Sequence, residues 1–277
     1  MPVIHLAHSP DADDAFMFYA LTQGKVNTGD LIYQHTYQDL ETLNRWALEG
    51  RFEVTAVSFH AYAYLADRYL LLPSGASLGE GYGPIVVARE PGAPADLSAR
   101  TVAVPGRLTT AYLALKLFAP EVETTVLPFA AILPAVAQGQ VEAGLLIHEG
   151  QLTYGEYHLH CVLDLGTWWQ AQYGLPLPLG GNVVRRDVEP TWRRKIAHHL
   201  RASIEYALTH REEALTYACQ FARGLSLDLV DRFVSLYVNE RTLDYGLEGR
   251  EAVRLLLAEG YERGLIPQRV EPKFAGD

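Results

Sequence analysis

The stretch that most limits what this chain can fold into is residues 101–118, Thr-Val-Ala-Val-Pro-Gly-Arg-Leu-Thr-Thr-Ala-Tyr-Leu-Ala-Leu-Lys-Leu-Phe. It reads as a short buried strand, a tight turn and a helix that opens on Thr109 and Thr110. Pro105 fixes the entry to the turn, and Gly106 allows a backbone path that a side chain would obstruct. A helix start presents backbone N–H groups without internal partners at the positive end of the macrodipole. With two hydroxyls added it is a cradle for a carboxylate or phosphate. Thr109 can equally serve only as the cap of its own helix.

A second apolar run, 141–147, ends directly in His148-Glu149-Gly150. In open α/β sheets ligands collect beyond the carboxyl ends of the strands, so Thr109, Thr110 and His148 are expected to face one pocket. The alternative for His148 is a satisfied structural histidine. Ser58, at the end of the 54–57 strand, reaches the same cleft by the same rule. Asn44 falls mid-helix and reads as a surface or packing residue on spacing alone. Asp11-Ala12-Asp13-Asp14 opens a helix, where acidic residues are favoured without any ligand. That structural role is weighted for Asp13, and Asp11 and Asp14 stay open.

Strand-like runs at 3–8, 31–36, 54–58 and 69–72 alternate with helical stretches at 14–23, 40–49 and 60–66, a βαβαβ unit. A glycine-rich loop at 74–83 leads into a run at 84–88, and the Pro/Gly-bearing segment 90–95 follows, where the first crossing between lobes is expected. Strands at 101–104, 123–127, 142–147 and 160–164, with helices at 109–118 and 130–138, make a second lobe, and the Pro/Gly run 174–181 marks the return. From Pro190 helical periodicity dominates, at 190–208, 212–221, 226–238 and 248–259. The lobes are therefore 1–90 with 180–277, and 91–179. A chain that leaves one α/β lobe, builds a second and returns follows the plan of the type II periplasmic-binding-protein-like fold, with its ligand cleft between lobes.

Other signals exclude function classes. At 277 residues the chain is long enough for about two domains. Its 33 acidic against 23 basic residues, with no Lys/Arg run, argue against a nucleic-acid partner. No apolar run approaches a membrane span. Residues 1–8 lack a basic leader pattern, which predicts a cytoplasmic protein. Cys161 and Cys219 read as two small buried side chains in a reducing compartment. Gly79-x-Gly81-x-Gly83 precedes a strand, so it reads as a flexible loop and not as a dinucleotide fingerprint. His158-x-His160 and His198-His199 lack an obvious third ligand, so no metal and no cofactor is expected. Trp168-Trp169 is core material or lines an aromatic ligand.

Four blocks, 8–21, 41–48, 104–112 and 144–149, together resemble the 1,4-dihydroxy-6-naphthoate synthase family, and the resemblance runs over nearly the whole chain. It implies the two-lobed fold and a place in the futalosine route to menaquinone, converting cyclic dehypoxanthinyl futalosine to 1,4-dihydroxy-6-naphthoate without metal or redox cofactor. It implies that His148 is the proton acceptor, that Ala56, Val57 and Ser58 form one wall of the substrate site and Thr109 and Thr110 the other. Asn44 and Asp14 complete the set expected to bind a carboxylate-bearing small molecule. The opening block reads Ser9-Pro10-Asp11-Ala12-Asp13-Asp14-Ala15-Phe16 where the family pattern is Ser-Pro-Cys-Pro-Asn-Asp-Thr-Phe, so of positions 11 to 14 only Asp14 matches. The alternatives are a chorismate dehydratase of the same pathway, or a solute-binding protein that holds a carboxylated ligand unchanged.

Overall fold

A computed structural model, describing residues 2–222 and 224–276, builds the chain around two mixed sheets. The elements run β1 (Val3–His8), α1 (Ala12–Thr22), β2 (Ile32–Tyr37), α2 (Leu40–Glu49), β3 (Val54–Ser58), α3 (Phe59–Tyr62), β4 (Tyr69–Leu71), β5 (Ser77–Gly79), β6 (Ile85–Ala88), β7 (Thr101–Val104), α4 (Thr110–Phe118) and β8 (Glu123–Val126). They continue with α5 (Phe129–Ala137), β9 (Ala143–Leu146), α6 (Gly150–Thr153), β10 (His160–Asp164), α7 (Leu165–Tyr173), β11 (Leu177–Arg185), α8 (Pro190–Thr209), α9 (Arg211–Ala218), α10 (Leu227–Tyr237), α11 (Glu240–Leu243) and α12 (Gly246–Glu262).

The first sheet has the order β2-β1-β3-β11-β4, with β5 also pairing β11; the second has the order β10-β6-β9-β7-β8. In the first, β1 is parallel to both β2 and β3, and β11 runs antiparallel to β3, β4 and β5. In the second, β7 is parallel to β8 and β9, while β6 is antiparallel to β9 and β10. The carboxyl ends of β1, β3, β7 and β9 lead directly into the segments 9–14, 58–59, 105–110 and 147–149 that carry the candidate residues.

These pairings correct the expected lobe boundaries. β6 belongs to the second sheet, so the chain leaves the first one before residue 85 and not after residue 90. The return also comes earlier, because β11 already pairs with β5 at Leu177. The 85–88 run is apolar in either setting, and only its partner strands decide which sheet it joins. Nor is the glycine-rich segment loose: a Cβ at Gly79 or at Gly166 would run into the backbone of Tyr82, so two chain segments cross there at glycine-only distance. The expected 60–66 helix is a single α turn followed by tight turns, with Tyr64 N–H donating to the Ala61 carbonyl and Leu65 N–H to that of Tyr62.

The core of the first lobe is wrapped around α1, which is apolar on nearly every side: Phe16, Met17 and Phe18 are almost fully buried, and α8, α9 and α10 pack against the helix. Burial of α1 carries its acidic first turn inward with it. Both cysteines are free, and neither is buried: Cys161 is exposed and Cys219 half-buried. The reason at Cys161 is that β10 is an edge strand whose first two residues face solvent. Trp168 and Trp169 lie on α7, where Trp169 is fully buried and donates to the Pro176 carbonyl (3.1 Å), so this pair is core. Among the described residues no helix is long and apolar enough to cross a membrane.

Candidate active site

A cleft, part of it open to solvent, lies between the two sheets. Asp14, Ala56, Val57, Ser58, Thr109, Thr110 and His148 all line it, so the structure brings together seven of the eight residues named from sequence. The eighth, Asn44, does not line the cleft, which corrects the expectation that it contacts a ligand. It is fully buried behind Ser58: its Nδ2 donates to Ser58 Oγ (3.1 Å) and its Oδ1 accepts from Ser58 N–H (2.9 Å). Asn44 is thereby the packing residue that mid-helix spacing allowed, not a surface one, and it fixes Ser58. With Oγ already accepting from Asn44, the Ser58 hydroxyl proton remains to be donated.

The two threonines are fastened more tightly than an open cradle requires. Thr109 caps α4, its Oγ1 accepting from Tyr112 N–H (3.2 Å) and donating to the Gly106 carbonyl (2.8 Å). Thr110 Oγ1 donates to the Leu179 carbonyl (2.5 Å) and accepts from His60 N–H (3.2 Å), tying α4 to β11 and α3 of the other lobe. Both hydroxyls are therefore engaged within the protein. What is left to a ligand is the backbone at the start of α4, where Thr109, Thr110 and Ala111 border the cleft and helix geometry supplies no internal partner for the first N–H groups. A Cβ at Gly106 would collide with the Glu41 carboxylate, which accepts from Leu108 N–H (3.2 Å).

His148 has φ 50°, in the left-handed region that non-glycine residues occupy at a cost of order 1–3 kcal/mol. Gln151 holds it there. Gln151 N–H donates to the His148 carbonyl (3.2 Å), and its side-chain amide, oriented by its surroundings, accepts from His148 N–H (3.2 Å) and donates to the Gly83 carbonyl (2.5 Å). The Phe129 ring stands edge-on to the imidazole at 5.3 Å, and Nδ1 faces Asp11 Oδ2 at 3.4 Å. Burial alone would lower the His148 pKa, but Asp11, Asp13, Glu149 and Asp14 together outweigh it and raise the value above the usual 6.5.

The acidic turn is the part of the site that sequence reasoning undervalued. Asp14 Oδ2 accepts from Ser9 N–H (2.7 Å), closing the turn between β1 and α1, and burial pushes its carboxyl up to about 6 against that bond. By sequence alone Asp13 reads as a helix-start residue. It lines the cleft, is 8% exposed, and its Oδ1 has no hydrogen-bond partner. Burial first, then the neighbouring Asp14, push its carboxyl up to about 8, with His148 pulling the other way. Asp11 occupies the cap position of α1 without a side-chain capping bond. A signal did exist for this group: three acidic residues within four, against a helix too apolar to lie on a surface, cannot all be solvated.

Other cleft residues were not named from sequence. Gly180, Gly181 and Asn182 on β11 line the wall beside Ser58, with Asn182 Nδ2 donating to the Gly75 carbonyl (2.9 Å). The paired glycines were the available clue, because a Cβ at Gly181 would meet Tyr245 and glycine within a strand marks a close approach. Ser9, Met17, Gln151 and Tyr237 also line the cleft, and only assembly of distant segments puts them there. Among the described residues no group of three or more His, Cys, Asp or Glu is placed to hold a metal ion.

Comparison with known proteins agrees with this geometry at the level of family and fold. A family described as menaquinone biosynthesis matches residues 4–262. A protein of Thermus thermophilus named 1,4-dihydroxy-6-naphthoate synthase is 47% identical, covering 99% of this chain and 100% of that one. One of the same name from Streptomyces coelicolor is 39% identical over 95% of each. A solved structure from Archaeoglobus fulgidus superposes with TM-score 0.92 at 47% identity, over 95% of this chain and 98% of that one. An alkanesulfonate-binding protein of Xanthomonas axonopodis superposes with TM-score 0.73 at 13% identity, over 97% and 96%, and shows the periplasmic-binding-protein-like fold alone.

Proposed function

The chain belongs to the menaquinone biosynthesis family, and from that premise we propose that it is a lyase converting cyclic dehypoxanthinyl futalosine to 1,4-dihydroxy-6-naphthoate with His148 as the base. The observation that carries the reading is His148 itself, a strand-end imidazole held at φ 50° on the cleft wall with Nδ1 directed to Asp11. A proton on Nδ1 leaves Nε2 as the nitrogen for substrate, and the raised pKa makes it a stronger base once neutral.

In this mechanism His148 removes a proton next to a substrate carbonyl. The electrons released allow a carbon–carbon bond to break, the sugar-derived part departs, and the remaining ring aromatises. The Ser58 hydroxyl and the helix-start amides at Thr109–Ala111 hold carboxylate or carbonyl oxygens and stabilise negative charge as it develops. Closure of one lobe on the other excludes water from the reacting face. A solute-binding role shares the fold but gives no reason for a strained histidine beside a carboxyl group.

The test is to supply cyclic dehypoxanthinyl futalosine to the protein and to its His148→Ala variant, following naphthoate by absorbance and mass. The parent is expected to turn over, and the variant to bind substrate but lose about 10²–10⁴-fold in rate. Binding without product by the parent would replace the lyase with a binding protein, and product formed from chorismate instead would make it the dehydratase.

A further inference from the structure

We propose that Asp13 enters the cleft as a neutral carboxylic acid and donates a hydrogen bond to a carbonyl or enolate-type oxygen of the bound molecule, opposite the base. This deepens the lyase reading and rests on it. The geometry comes first. Asp13 is 8% exposed and lines the same cleft as His148, and its Oδ1 is buried without any hydrogen-bond partner. An orphaned buried oxygen is costly, and a ligand in the cleft is what remains to satisfy it.

The charge environment then decides which form the carboxyl takes. On its own turn Asp13 faces Asp14 and Asp11; across the cleft it faces His148, and from α10 Tyr237, whose own ionisation burial pushes far up. Burial and the two neighbouring carboxyl groups favour the protonated form and outweigh His148 and the Asp14 backbone N–H, which favour the ionised one. An ionised Asp13 would set a negative group against substrate oxygens on which negative charge develops. A neutral one offers them a donor that costs no reorganisation at the moment of reaction. A carboxylic acid kept neutral by its surroundings, next to a separate base, is a recurring way to run both halves of proton chemistry in one site.

The ionisation signs give a sharp test. Turnover needs His148 neutral, which sets an acid limb, and Asp13 protonated, which sets an alkaline limb near pH 8. Asp13→Asn, which keeps a donor but cannot ionise, is expected to lose the alkaline limb and to turn over faster at pH 7 than Asp13→Ala. Asp13→Ala loses at least about tenfold. A merely structural Asp13 would affect both variants through stability and leave the limb in place. The independent readout is carbon NMR of aspartate-labelled parent protein, in which one carboxyl titrating near pH 8 disappears in Asp13→Asn. An alkaline limb unchanged in Asp13→Asn, or an Asp13 carboxyl titrating below pH 5, overturns the inference. The NMR titration decides this even if the parent makes no naphthoate, in which case the lyase reading falls by a separate result.

Discussion

Asn44 was expected to touch a ligand and instead supports Ser58, and that difference can be measured. Asn44→Ala removes the acceptor of Ser58 N–H (2.9 Å) and the donor to Ser58 Oγ (3.1 Å), both at fully buried residues. A buried donor left without partner costs about 1–3 kcal/mol, and the second hydrogen bond contributes about 0.5–1.5 kcal/mol, so the variant is expected to lose about 2–4 kcal/mol. For a chain of this length that lowers Tm by about 2–4 °C for each kcal/mol. Ser58→Ala loses the Oγ bond alone, while the Asn44 amide keeps its longer contact to the Leu108 carbonyl (3.4 Å), so about 1 kcal/mol is expected. In a double-mutant cycle by urea unfolding, the two effects should fall short of additivity by about 1 kcal/mol, since they share one bond. In turnover assays Asn44→Ala should raise KM through a mobile Ser58. A loss below about 0.5 kcal/mol, or full additivity, would refute this account of the Asn44–Ser58 pair.

Two further outcomes follow from packing and from burial. Gly106→Ala pushes the Glu41 carboxylate off Leu108 N–H and should cost about 1.5–3 kcal/mol and loosen the start of α4, whereas in a Glu41→Ala background the same substitution should cost at least about 1 kcal/mol less, as read by denaturant unfolding. His60 is buried and its Nε2 has no partner, so burial lowers its pKa to about 4. The unfolded chain takes up that proton near pH 6.5 and the folded one only near pH 4, so between these values stability falls as pH falls, by up to about 1.4 kcal/mol per unit. His60→Gln should flatten the slope of unfolding free energy between pH 4.5 and 6.5 by roughly that amount, and an unchanged slope would show that His60 takes up its proton while folded.

Much of the site was legible because it sits on strand ends. Ser58 and His148 follow apolar runs short enough to be only strands, and Thr109 and Thr110 follow a proline–glycine turn, so residue order alone puts them at the carboxyl edge of a sheet. The Thr109 hydroxyl was legible in its plainer sense, as the cap of its own helix. What the threonine hydroxyls were not free to do could not be read, because the partner of Thr110 is a carbonyl on β11, well over sixty residues away in sequence. For Asn44, mid-helix spacing allowed a packing role but said nothing about what covers that face, so its partner Ser58 could not be read.

By itself, then, the sequence determined the α/β element order, the two-lobed plan and the strand-end residues, because each depends on periodicity and turn chemistry within a few residues. Tertiary structure decided the rest. It placed β6 in the second sheet, put Cys161 on an open edge, packed the glycine-rich crossing against Gly166, and set Asn44 behind Ser58. Above all it decided the chemistry of the acidic turn. Whether a carboxyl such as Asp13 is a solvated helix-start charge or a neutral acid depends on how much water is removed from it and which charges are brought near, and both are set by segments far away in the chain.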